Sequence, residues 1–375
     1  MSLVLLRRTR SLAPLALAAL ASAACGSDGP TGPAAGDILP GAPRGAEIGV
    51  VLNSVGRSLA LFQAGAPTVT RTLALSATGS SAPTPTTFAL RGARVAVPLG
   101  DAASTAVLDL QDPAEVRYYT FPAGNATGAA WVDDNTVLVA NLVDGYVGRL
   151  DASRAGGAVS DTLRVAPAPT AIVMAGGRAL VVSSNLDPKN GYRSLGRGVV
   201  TAVDPRTMRV TGTVAVGDNP TAAALGPDGK LYVVNSEGYA TGSVSIVDPQ
   251  QMTLEATVPG FGAGPGAIAV DANGLAYISG YGIGTIVWNT RTRTFVRGAD
   301  NPVCARAVIG GRQQCRGAAA AAVGADGTLY QAFSGDFGAG VLKPYVFVYR
   351  PSTFQLADSV AAGTDPTAID VRAFR

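Results

Sequence analysis

The chain has 375 residues, 47% hydrophobic and only 15% charged, with 47 Gly, 24 Pro and no His. That composition excludes a disordered Pro/Gly chain and suits many short strands joined by tight turns, while the missing histidine excludes Ser-His-Asp and Cys-His catalysis and histidine metal sites. The formal charge of +3 comes from Arg7, Arg8 and Arg10; beyond residue 24 there are 26 basic and 26 acidic residues and no Lys/Arg run, so no nucleic-acid partner is expected.

In chain order, Arg7–Arg10 form a basic start and Leu12–Ala24 an apolar stretch ending in small residues. This reads as a signal peptide over 1–24, too short to be a stable membrane span. Cys25 follows Ser22-Ala23-Ala24, which resembles a bacterial lipobox, although Ser22 stands where that pattern favours Leu. The resemblance implies a lipid on Cys25; simple cleavage after Ala23 or Ala24 is the alternative. Cys25 is also the odd cysteine of three, and Gly26 after it resembles outer-membrane sorting. Residues 25–46, rich in Gly, Pro, Ala and Thr, are expected to be an anchor and flexible linker. The expected location is the periplasm or outer membrane.

From Glu47 onward a repeat sets the fold. Pro-Thr-Ala or Pro-Gly-Ala with an apolar tail occurs at Pro169–Val173, Pro220–Leu225, Pro265–Val270 and Pro366–Val371. A Gly-rich turn and a second apolar run follow the first three, but the chain stops at Arg375 after the fourth. The missing kind of run, Ile48–Leu52, opens the repeat region with no Pro-Thr-Ala before it. Pairing the last strand with the first closes a ring. The fullest unit runs through Pro220–Leu225, Leu231–Asn235, Ser243–Val247 and Thr253–Val258. Four antiparallel strands in about 40 residues describe a propeller blade. Third strands are expected to end at Gln63, Asp109, Asp151, Asp204, Asp248, Asn289 and Arg350, in steps of 46, 42, 53, 44, 41 and 61. Seven anchors predict an all-β, seven-bladed propeller over 47–375. The long steps hold insertions at Leu186–Arg197 and around the cysteines. The Asp residues at these ends are expected to cap their own turns rather than bind metal.

Leu231-Tyr232-Val233-Val234-Asn235, followed by Gly242-Ser243-Val244-Ser245-Ile246-Val247-Asp248, resembles the YVTN-type propeller repeat. The resemblance implies a seven-bladed exported propeller broadly similar to YncE-like periplasmic proteins. It implies little about activity, since members of that family are diverse.

Cys304 and Cys315, an even pair in an exported chain, are expected to form a disulfide. One rim gathers the ends of the second strands: Asn53, Asn141, Asn185 and Asn235, with Asp101, Tyr281 and Asp336 in the other blades. These asparagines either cap their own loops or bind a glycan, a peptide or a cation. Phe261, Tyr281, Phe333 and Phe337 either add aromatic surface on the same side or pack between blades, and Trp131 and Trp288 are candidates for core or inter-blade packing. The expected role is a monomeric binding or scaffolding module for an envelope protein, glycan or small molecule, touching the membrane only through its anchor and needing no cofactor. The alternative is a calcium-dependent, lactonase-like hydrolase with oxygen ligands from Glu237, Asn235, Asn185 and Asp336.

Overall fold

The computed structural model describes residues 35–374 except 67, 77–81, 160, 240 and 336–341. Seven antiparallel sheets follow one another, and blade 1 combines both ends of the repeat region. Its strands, outermost to innermost, are Val69–Ala74, Ser58–Gln63, Glu47–Asn53 and Pro366–Ala373. Glu47 lies opposite Ala373 and Leu52 opposite Ala368. The ring is therefore closed by the C-terminal strand, as the interrupted repeat predicts.

Blade 5 shows why this sequence makes a blade. Its innermost strand, Pro220–Leu225, is built of small residues, because seven such strands converge on one axis. The second strand, Leu231–Asn235, is buried throughout between neighbouring sheets and reads as a continuous apolar run. The outermost strand, Thr253–Pro259, alternates exposed and half-buried residues. Between the first two strands, Gly229 takes φ of 76°, a conformation that an L side chain rarely adopts.

The third strands end at Gln63, Asp109, Asp151, Asp204, Asp248, Asn289 and Tyr349, one residue short of the expected anchor only in blade 7. Asx bonds cap the five of these ends that are Asp or Asn: Asp248 Oδ1, for example, accepts from the Gln250 and Gln251 amides, and Asp109 Oδ1 from the Gln111 amide. Blade 2 departs from four strands. Gly157–Ala158, from the third-to-fourth strand connection of blade 3, adds a parallel fifth strand beside Arg117–Thr120.

Each neighbouring pair of sheets encloses its own apolar core. The last joins Val51, Ala60 and Phe62 of blade 1 to Ala322, Tyr330 and Val346 of blade 7. Trp288 is fully buried between blades 5 and 6, with Tyr232 and Phe261 edge-on at 5.8 and 5.5 Å. Trp131 packs between blades 2 and 3, its indole N–H donating to the Ala89 carbonyl.

The linker expected over 25–46 is corrected at its C-terminal end. Ile38 and Leu39 are buried in the core shared by blades 1 and 2, with Ala42 and Ala46 packed against it. Two large aliphatic side chains bury there because that core has room for them, and Arg71 fastens the segment by donating to the Ile38 carbonyl. The expected signal peptide, Cys25 and the rest of the expected linker up to residue 34 lie outside the described residues.

Candidate binding rim and central channel

The innermost strands line a channel of about 810 Å³ with walls that include Ala129, Ala171, Ile172, Ala222 and Ile369. Tyr281 stands at one mouth; Asp271, Asp370 and Arg372 lie toward the other. Arg372 Nε donates to Asp370 Oδ1 at 2.6 Å. Because strand direction alternates, the mouth with Tyr281 gathers the loops between blades and the turns between second and third strands.

The Pro-Thr-Ala pattern has a structural explanation at this mouth. A proline at or just before the start of an innermost strand offers its carbonyl to a hydroxyl of the preceding blade. Thr127 donates to the Pro169 carbonyl at 2.9 Å, Thr170 to Pro220 at 3.4 Å and Thr221 to Pro265 at 3.3 Å. Ser236 also reaches Pro265, and Ser334 spans from blade 7 to Pro366 at 2.9 Å. These hydroxyls latch blade to blade. Thr127→Val, which keeps the shape and removes the donor, is expected to lower stability by about 1 kcal/mol in urea unfolding, whereas Thr213→Val on an outermost strand should change it little.

The rim asparagines bond within their own blades through Nδ2, while Oδ1 of Asn53 and of Asn235 is buried without a hydrogen-bond partner among the described residues. Asn53, Asn141 and Asn235 are fully buried. Asn53 Nδ2 donates to the Ala362 carbonyl, Asn141 Nδ2 to the Ala123 carbonyl and the Tyr146 hydroxyl, and Asn235 Nδ2 to the Ser243 and Ser245 hydroxyls. Each packs on a glycine of the loop entering its own blade: Gly363, Gly124 and Gly217, where a Cβ would come within 2.6 Å of the amide. Asn185, at φ of 55°, donates to the Arg197 carbonyl and closes the base of the blade 4 insertion. Asp101 accepts from Asn125 across blades 2 and 3.

Glu237 is held by hydroxyls, from Ser243 and from Thr241 at 3.4 Å. It lines a hollow that neither Asn185 nor Asn235 lines. Asp336 and Phe337 lie outside the described residues. Among the described residues, no three His, Cys, Asp or Glu side chains are grouped to share a metal ion. Of the two readings open for Phe261 and Phe333, packing between blades holds: both are buried, Phe261 against Trp288 and Phe333 against Phe347, because each fills an inter-blade core.

Tyr281 does project from the rim, with 64% of the residue exposed. Its phenol nonetheless sits crowded in the channel mouth. Loss of hydration there, reinforced by the Asp365 carboxylate, raises it above its ordinary value. Cys304 and Cys315 form the expected disulfide, with Cα atoms 5.6 Å apart. It staples the hairpin of Arg306–Ile309 and Arg312–Cys315. The emerging chain presses on Tyr281: a Cβ on Gly317 would lie 1.7 Å from the Tyr281 carbonyl oxygen.

On the opposite face, burial pushes two phenols up to about 12, Tyr232 with its bond to Asp228 and Tyr330 near Asp326. An unfolded tyrosine titrates near 10, so the folded state holds these protons more tightly. Their contribution to stability is complete below about pH 10 and is lost as pH rises toward 12. Urea midpoints should fall across that window, with tyrosinate absorbance appearing as the chain unfolds.

No protein-family model matches this chain, and no curated protein matches it. Solved structures do. A chain of Kuenenia stuttgartiensis hydrazine synthase is similar with a TM-score of 0.57 and 12% identity, over 77% of this chain and 90% of that one. A functionally unknown protein from Desulfotomaculum acetoxidans DSM 771 is similar with a TM-score of 0.62 and 13% identity, over 88% and 99%. Such identities carry the fold alone, and with the closed ring of seven sheets they make this chain a seven-bladed β-propeller.

Proposed function

We propose that the protein is a binding or scaffolding module whose working surface is the rim around Tyr281. One observation carries this reading. Five of the ten large hydrophobic residues exposed among the described ones lie on that rim: Val55, Tyr192, Leu195, Tyr281 and Val308. They come from blades 1, 4 and 6 and the disulfide hairpin and stand around the channel mouth, where Tyr281 and the insertion residues Tyr192 and Leu195 offer apolar contact to a partner. The expected partner is an envelope protein, glycan or small molecule. The basic and apolar leader with Cys25 supports export and a lipid anchor, and the likeness of Leu231–Asn235 and Ser243–Asp248 to the YVTN repeat supports an envelope setting. Calcium-assisted hydrolysis lacks comparable support: hydroxyls hold Glu237, and the hollow it lines is not lined by Asn185 or Asn235.

The test compares partners captured from envelope extracts by the wild-type chain, by Val55→Asp/Tyr281→Asp, and by Leu225→Asp on the opposite face. Loss with the rim variant alone is expected, by tenfold or more. Equal capture by all three would refute the rim as the working surface.

A further inference from the structure

We infer that the hollow between blades 4 and 5 on this rim receives a basic side chain, Arg or Lys, from an extended segment of a protein partner. The inference rests on the rim being a binding face and names the chemistry of what one part of it holds.

The hollow measures about 620 Å³ and is built from three separate stretches of chain. Leu186, Tyr192 and Ser194 come from the blade 4 insertion, Asp218 and Asn219 from the connection between blades, and Glu237 and Gly238 from the blade 5 turn. No Lys or Arg lines it. Asp218 is exposed, and Glu237 is met by the hydroxyls of Ser243 and Thr241 rather than by a cation. Of the cations on the insertion, Lys189 bonds Asp144 at 2.7 Å, Arg197 Nε donates to the Val216 carbonyl at 2.7 Å, and Arg193, exposed between Tyr192 and Ser194, does not line the hollow. Two carboxylates thus share a hollow that no Lys or Arg lines, which favours an incoming cation.

The other walls select the kind of cation. Tyr192, 53% exposed, offers a ring face to a guanidinium or ammonium, and Leu186 offers an apolar surface to its methylene stem. Leu195, 47% exposed, adds apolar surface on the same insertion. A free amine would leave that surface uncovered, whereas a peptide carrying the basic side chain covers it. The site is organised before binding: the Tyr192 amide donates to the Asp187 carbonyl at 2.8 Å, Leu195 to Asn185 at 3.0 Å, and Glu237 to Asp218 at 3.2 Å. Little ordering cost then falls on binding.

The experiment titrates nitrogen-labelled protein with acetyl-Gly-Arg-Gly-amide and with its Gly-Glu-Gly counterpart, reading amide shifts. Saturable binding of the Arg peptide is expected, with shifts confined to 186–195, 218–219 and 237–238, weakening with added salt, and none with the Glu peptide. Asp218→Asn/Glu237→Gln should weaken binding at least tenfold with the rest of the spectrum unchanged. Tyr192→Leu, which leaves both acids in place, should weaken it about threefold. Unchanged affinity in these variants, shifts elsewhere, or no binding at all would overturn the inference. If that happens while Val55→Asp/Tyr281→Asp still abolishes partner capture, the hollow is refuted and the rim reading stands; if capture also survives, both fall.

Discussion

Deletion of Pro366–Phe374 is expected to open the ring and abolish cooperative unfolding. The strand supplies the inner edge of blade 1, pairing residue by residue from Glu47–Ala373 to Leu52–Ala368. Val371 belongs to the core between blades 7 and 1, and Phe374 to that between blades 1 and 2. Its first residue also receives the Ser334 latch. The deletion therefore uncovers two cores and leaves the edge of Glu47–Asn53 unpaired, so its cost approaches the whole stability of a domain, about 5–15 kcal/mol. Calorimetry should show the single transition broadened or lost, and a synthetic peptide of residues 364–375 added in trans should restore it. A truncated chain that melts like the intact one would show that the seam does not hold the ring.

The second large effect is expected at Trp288. This side chain is fully buried and carries the contact between blades 5 and 6 through Tyr232 and Phe261. Trp288→Ala leaves a cavity that β-sheets on both sides are too stiff to fill, at a cost of about 3–5 kcal/mol. Trp288→Phe retains part of the ring contacts and should cost clearly less. Both are read from urea midpoints at constant slope. A loss below 1 kcal/mol for the alanine variant would mean that the blades repack around the gap.

How far these features were legible depends on the range of the forces behind them. Blade number, the closing strand and the third-strand ends at Asp204 and Asp248 follow from local turn chemistry and strand patterning, and each is where the sequence places it. The disulfide between Cys304 and Cys315 follows from their being the one even pair left beside Cys25. What escaped reading is set by neighbours distant in the chain. Asn53 looks like a free rim amide until the loop bearing Ala362 and Gly363 is seen to enclose it. Phe261 looks like loop surface until Trp288 is placed beside it. Ile38 and Leu39, in a stretch of linker composition, are recognised by a core that forms only when blades 1 and 2 meet. The latches did leave a signal, the repeated Thr after Pro, but its meaning needs the next blade. The hollow lined by Asp218 and Glu237 left none, since its walls come from three segments with no shared pattern.

The closing seam also imposes an order on biosynthesis. Asn53 reaches its partner Ala362 across 309 residues, so blade 1 stays incomplete until nearly the whole chain has been made. At about 5–20 residues per second that interval lasts roughly 15–60 s. During it the apolar edge of Glu47–Asn53 has no native partner, which makes the emerging chain a client for whatever holds unpaired strands, and makes the finished ring a late event however early the middle blades form.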